Sequence, residues 1–254
     1  MLNLIKAELY KYYKRPFIYI TIVSLISAMA FIISSSQGIL SVDFLVVKGH
    51  LFRESFIELA GFGFSFIAYA LMVFSVVMTD DYKSGTIKNL LASNVNKAQI
   101  FLSRFIVQII LAFIVAAVSL VAFFLMISTV KAGDGYSMAL VKDFLIRFSV
   151  ASVGYVGILA LINFLSVAIR NDSIVAVIYY FIIMQISTVI FLLKKTVAPG
   201  IEWVQDLLIT YNIGYVGNSF TDAKNYIPVI VTGIAYTLIF TLLGIFIFNK
   251  QEIK

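Results

Sequence analysis

Six long apolar runs decide what this chain can be. They lie at roughly 17–36, 56–78, 100–130, 148–169, 173–193 and 227–248. Each approaches or exceeds the ~20 residues that an α-helix needs to cross a bilayer. Inside lipid a backbone must satisfy its own hydrogen bonds, so the runs predict helices and not open strands. The predicted fold is all-α: a polytopic membrane protein with six transmembrane helices, forming one transmembrane domain over residues 1–254. Composition agrees. Only 13% of the residues are charged, against about a quarter in soluble domains, which is too few for a surface that faces water throughout. The net charge of +6 therefore reads as a topology signal and not as a nucleic-acid site. With no cysteine and one histidine, His50, disulfides, thiolate sites and histidine-rich metal clusters are excluded. The first run is long, lacks a small-x-small cleavage site and is followed by further runs, unlike a cleaved signal peptide.

Six crossings place both ends of the chain on one side. With the N-terminus inside, the inner segments hold Lys6, Lys11, Lys14, Arg15, Lys83, Lys88, Lys97, Arg104, Arg170, Lys250 and Lys254. The outer ones hold Lys48, Arg53, Lys131, Lys142, Arg147, Lys194, Lys195 and Lys224. The excess of basic residues favours N-in and C-in. Residues 1–16 form an amphipathic helix: Leu2, Ile5, Leu9, Tyr12 and Tyr13 share one face, and Asn3, Lys11, Lys14 and Arg15 lie broadly opposite. Such a helix is expected to lie in the membrane interface with its basic side toward anionic headgroups, or to act as a plain basic flank. Pro16 ends it and turns the chain into the first span. Ahead of the sixth run, Ile201, Val204, Leu208 and Tyr211 predict a short helix at the outer leaflet, with Trp203 and Tyr211 at the interface.

Between the second and third runs lies the segment 80–97, "DDYKSGTIKNLLASNVNK". Ser84 is placed to cap a short helix, and Ile87, Leu90 and Leu91 give it a small apolar face. Asn94 is a stop. Asn96 and Gln99 read as a variant capping box that opens the next helix. Three apolar residues cannot bury themselves on so short a helix, so the face needs a partner surface or the headgroup layer.

This segment resembles the region after the second span of ABC-2 type permeases, the membrane subunits of many ABC exporters. The matching residues are Asp81, Gly85-Thr86, Leu90-Leu91 and Lys97, followed by Ser103-Arg104. The chain departs from the family pattern at Asn94, where proline is frequent, and at Lys97, where arginine is frequent. The six-span layout, the N-terminal helix and the helix before the last span extend the resemblance over nearly the whole chain. It implies a cytoplasmic coupling helix, comprising Asp81, Lys83, Gly85, Thr86, Ile87, Lys88, Leu90 and Leu91, that docks on a separate ABC ATPase subunit. It also implies pairing with a second permease copy, as a homodimer in preference to a heterodimer. ATP and Mg would be held by the ATPase and no cofactor by this chain. Consistent with that division, the sequence has no G-x-x-x-x-G-K-[ST] phosphate loop, and it lacks the paired intramembrane Ser/His or His/Glu groups of a membrane hydrolase. No catalytic or metal residue is expected, and the chain is not expected to be an enzyme.

Within the ABC-2 group the chain looks most like exporters of amphipathic peptides, of the modulin-toxin export and lantibiotic self-immunity kind, in the cell membrane. Candidate residues of a substrate path are Glu54, Glu58, Gln108, Asn163 and Gln185. Glu54 and Glu58 share a helical face and offer an anionic patch to a cationic peptide. Pairing of Glu58 with Arg53, or snorkelling, is the plainer reading, because a mid-membrane carboxylate costs about 2.5–3.5 kcal/mol. For Gln108, Asn163 and Gln185 the plainer reading is hydrogen bonding between helices. Ala151, Gly154 and Gly157 read as a helix-packing face. The alternative function is a secondary transporter or channel without an ATPase, but such folds show repeated halves and interrupted helices, and neither is visible in the sequence.

Overall fold

A computed structural model describes residues 1–36, 50–51, 53–85, 95–196, 202–218 and 226–251. Every apolar run in them is helical. In chain order the elements are α1 (Leu2–Tyr13), α2 (Pro16–Ser36), β1 (His50–Leu51), α3 (Arg53–Ala70), a 3₁₀ stretch (Leu71–Ser75) and α4 (Val76–Lys83). There follow α5 (Lys97–Ile127), β2 (Lys131–Ala132), α6 (Met138–Ile169), α7 (Asp172–Tyr180), a π-helical stretch (Phe181–Gln185) and α8 (Ile186–Thr196). α9 (Glu202–Asp206), α10 (Ile209–Asn218) and α11 (Ile227–Lys250) complete the chain.

Local chemistry sets the boundaries. Pro16 is the first residue of α2, and the chain bends by 62° between α1 and α2. The Asn96 side chain accepts from the Ala98 N–H at 2.9 Å and opens α5, the N-cap bond that an asparagine there predicts. Asn171 does the same for α7 through Ser173 and Ile174. At the end of α4 the Ser84 hydroxyl donates back to Asp80 O at 3.0 Å, and Gly85 follows with φ +67°, the left-handed position that glycine fills without a Cβ penalty.

Four helical stretches among the described residues are long and apolar enough to cross a membrane: Gly63–Lys83, Lys97–Ile127, Met138–Ile169 and Ile227–Lys250. The bent pair of α1 and α2 makes a fifth if it is one span. Asp172–Ile183 is a shorter apolar helix. The long helices run alternately between two ends of the bundle. One end gathers Arg15, Asp80, Lys83, Lys97, Asp172 and Gln251, joined by ion pairs and hydrogen bonds. The other holds the two-residue parallel ladder of β1 with β2 and a group of aromatic rings around Phe144.

α6 is the centre of the bundle. Its tightest partner is α11: a Cβ on Gly157 would lie 2.8 Å from Gly233 O, and one on Gly233 would lie 2.8 Å from Val153 O. Small residues are what allow two backbones to approach so closely in lipid. The helix ahead of α11 departs from the expected stripe. The chain breaks after Asp206, whose carbonyl accepts from Asn212 Nδ2 at 2.8 Å, and the packed face becomes Leu208, Ile209, Ile213 and Val216. Trp203 and Tyr211 are exposed.

Candidate functional site

The segment 80–97 is where sequence places the chemistry. Of its candidate residues, Asp81, Lys83 and Gly85 are described, at the end of α4. Thr86, Ile87, Lys88, Leu90 and Leu91 lie outside the described residues. α4 itself is short, with its apolar residues first and its polar ones last. Its last four side chains, Asp80 to Lys83, each leave the helix in a different direction and each find a partner on a different part of the chain.

Asp81 points into the bundle. Its side chain is 3% exposed and pairs with Arg104 of α5, whose side chain is fully buried. Arg104 Nε also reaches Glu8 Oε1 of α1 at 3.3 Å, and Lys11 of α1 closes on Asp81 at 2.7 Å. Asp80 lies on the other flank and pairs with Arg15 at 2.7 Å. Three acids (Glu8, Asp80, Asp81) therefore meet three cations (Lys11, Arg15, Arg104), and the group is neutral overall. That balance is what permits a buried charge: an unpaired one would cost several kcal/mol. Glu8 Oε2 and Arg104 Nη1 are buried with no partner among the described residues.

The network places α1 against the bundle. Tyr12 is fully buried and donates to Val77 O at 2.9 Å, Ile5 and Leu9 pack on the same core, and Lys11 and Arg15 turn inward to the aspartates. α1 therefore spends its amphipathic face on the bundle, while Leu2, Tyr10 and Tyr13 stay exposed. The reason is Glu8, an acid on the apolar face, which needs Arg104 and draws the helix onto α5.

Lys83 and the preceding turn bind α7. Asp172 accepts from Ser75 Oγ at 2.6 Å, from Thr79 Oγ1 at 3.3 Å and from Lys83 Nζ at 3.4 Å. The carbonyls along α3, the 3₁₀ stretch and α4 are also held from outside: Phe64 O by Tyr155, Ala68 O by Tyr179, Phe74 O by Gln108 and Val77 O by Tyr12. Side chains from neighbouring helices are what make a non-α turn tolerable at membrane depth.

Of the five candidate path residues, Gln108, Asn163 and Gln185 have described side chains. Gln108 and Asn163 are fully buried. They sit one helical turn from Ala112 and Leu159, which line an apolar groove with Leu71, Phe113, Phe148 and Tyr155. Gln108 Nε2 donates to Phe74 O at 2.9 Å. Its Oε1 and both amide atoms of Asn163 have no partner among the described residues. The groove is open, apolar and small, with a volume of about 30 Å³. Gln185 is apart from them, exposed at the end of the π-helical stretch. Glu54 and Glu58 lie on α3 near its start, and their side chains are outside the described ones. Arg53 is exposed, with its N–H donating to Asp134 O at 3.3 Å.

Sequence reasoning did not assign Glu8, Lys11, Arg15, Tyr82 or Asp172 to this site. Only Glu8 carried a local signal, as the acid between Ile5, Leu9 and Tyr12. Among the described residues no group of three or more His, Cys, Asp or Glu side chains is arranged to hold a metal ion.

Residues 4–187 match the family described as ABC-2 family transporter protein. A comparison with curated proteins found no match.

Proposed function

The chain belongs to the ABC-2 family of transporter proteins, as a multi-pass membrane permease, and from that premise we propose that segment 80–97 is its coupling element to a separate ABC ATPase subunit. The observation that carries this is α4. At the start of the segment, Asp80, Asp81 and Lys83 bind α1, α5 and α7, so a push on the segment is delivered to several helices together. The permease family normally works with an ABC ATPase. In this reading ATP and Mg belong to that partner and this chain performs no hydrolysis. The chain crosses the cell membrane six times, the charged end faces the cytoplasm, and a second permease copy completes the transporter. The cargo is an amphipathic peptide, of the antimicrobial or toxin type, exported from the cell or the membrane. The resemblance to peptide exporters supports that class.

Leu90 and Leu91 test the reading. Replacing both with Asp removes the apolar face expected to dock on the ATPase. The variant inserts and folds, and the co-expressed ATPase no longer co-purifies with it. Normal co-purification would remove the coupling assignment. Orientation has its own check in a chain without native cysteine: Ser84→Cys is expected to react with an impermeant thiol reagent only in opened membranes, and Gly135→Cys in intact cells.

A further inference from the structure

Gln251 follows α11 directly and is 7% exposed. Every polar group it has is engaged. Its Oε1 accepts from Tyr82 OH at 2.9 Å, and its Nε2 donates to Val167 O of α6 at 2.7 Å. Its main-chain carbonyl accepts from Lys97 Nζ at 2.9 Å, and its N–H donates to Phe248 O at 3.4 Å. Lys97 also reaches Asn249 O at 3.2 Å, so an ammonium sits on the carbonyl end of α11, where the helix dipole favours a cation. Tyr82 and Lys97 stand on the two sides of residues 84–96. One glutamine therefore touches both the entry and the exit of that segment, and fixes them to α6 and α11.

Packing beneath the glutamine has the same layout. Met78, Ile100, Phe101, Val167 and Phe248 form a small apolar cluster separate from the main core, and Tyr82 and Val95 pack on it from the two sides of the segment. A Cβ on Gly244 would come 2.5 Å from the Phe101 ring, so α11 lies directly on this floor. An amide suits the position. It gives and takes a hydrogen bond at once, and it does so without the desolvation cost of a charge.

We propose that Gln251 is a positioning residue: it clamps the two ends of segment 84–96 together and ties them to α6 and α11, so that these two helices move with the segment. The proposal rests on the reading of 80–97 as the coupling element, but the clamp can be tested without the ATPase. Spin labels on Ser84→Cys and Gln99→Cys, both exposed, report the distance across the segment in the purified full chain. With Gln251 present the distribution is narrow. Gln251→Leu broadens it about twofold, as expected when local opening is released. Tyr82→Phe, which removes one hydroxyl, broadens it on its own and adds nothing in the Gln251→Leu background, because both act through the same node. Gln251→Glu, which keeps the acceptor for Tyr82 but loses the donor to Val167, lies between. A narrow distribution in folded Gln251→Leu protein overturns the clamp, as does full additivity of Tyr82→Phe with Gln251→Leu. Should Gln251→Leu not fold, an unbroadened Tyr82→Phe protein overturns it equally. None of these outcomes depends on ATPase binding, which the Leu90 and Leu91 variant judges separately.

Discussion

At one end of the bundle Phe144 meets Phe56, Phe64, Phe123, Phe124 and Phe148, with ring centroids 5.5 to 6.3 Å apart. At the other, Asp81 meets Arg104 and Lys11, and Asp80 meets Arg15. Both ends join several helices, but they constrain them differently. Ring contacts are worth about 0.5–1.5 kcal/mol beyond burial and accept a range of geometries. A buried charge is more exacting, because it needs polar or oppositely charged partners at hydrogen-bond distance. The aromatic end therefore supplies mainly cohesion, with a buried cation, Arg147, held by Asp143 and Val216 O, and the charged end supplies register: it dictates which turn of α1 lies against which turn of α5. A part that must transmit displacement needs the second property, and it is the charged end that adjoins residues 84–96.

Isosteric substitutions separate the two ends. Asp81→Asn keeps the shape and removes the charge, stranding Arg104 with Glu8 alone. The expected cost is about 3–5 kcal/mol, the scale for breaking a buried pair, read as a large fall in the thermal midpoint of detergent-solubilised protein. An unchanged midpoint would put the two ends on the same footing. Gly157→Ala sits between them in the bundle. Its new Cβ would press on Gly233 O, and overpacking of that kind costs about 1–3 kcal/mol. Gly233→Ala is expected to match it, and a large difference between the two would show that α6 and α11 do not share that contact. Phe144→Leu tests the aromatic end directly. The smaller side chain leaves a void and gives up ring contacts worth about 0.5–1.5 kcal/mol, so this variant is expected to stay folded with a shift below that of Asp81→Asn; unfolding would show the rings to be as exacting as the charges. The smallest effect belongs to Lys83→Ala. Its side chain is 57% exposed beside Asp172, and an exposed pair is worth under about 1 kcal/mol and fades with salt. A shift as large as that of Asp81→Asn would extend the register-setting network to α7.

The all-helical architecture was legible because lipid leaves so few options to apolar runs of this length, and the Asn96 cap was legible because its chemistry is local. The charged site was legible only at its address. Arg104 and Asp81 were both visible in the motif, but their meeting was not, since α4 and α5 are joined through the intervening segment. Asp172 gives no hint of Ser75, 97 residues away in the chain. Gln251 falls past the last apolar run and looks like a polar tail residue until its partners are seen. The 3₁₀ stretch Leu71–Ser75 has neither proline nor glycine, the residues that normally announce a break in a helix. What selects it is tertiary: carbonyls around it are taken up by Tyr179, Gln108 and Tyr12 from other helices.

That short stretch sets the phase of everything after it. A 3₁₀ helix rises about 2.0 Å and turns about 120° per residue, against about 1.5 Å and 100° in an α-helix. Over the five residues Leu71–Ser75 the difference accumulates to about 2.5 Å of length and about 100° of rotation. Asp80 to Lys83 therefore stand where they do because the helix above them is overwound. Relaxed to an α-helix, the same residues would be withdrawn along the axis and swung a quarter turn away from Arg15, Arg104 and Asp172. The polar contacts at the base of the bundle are, in mechanical terms, the teeth of a screw whose thread is cut one turn higher.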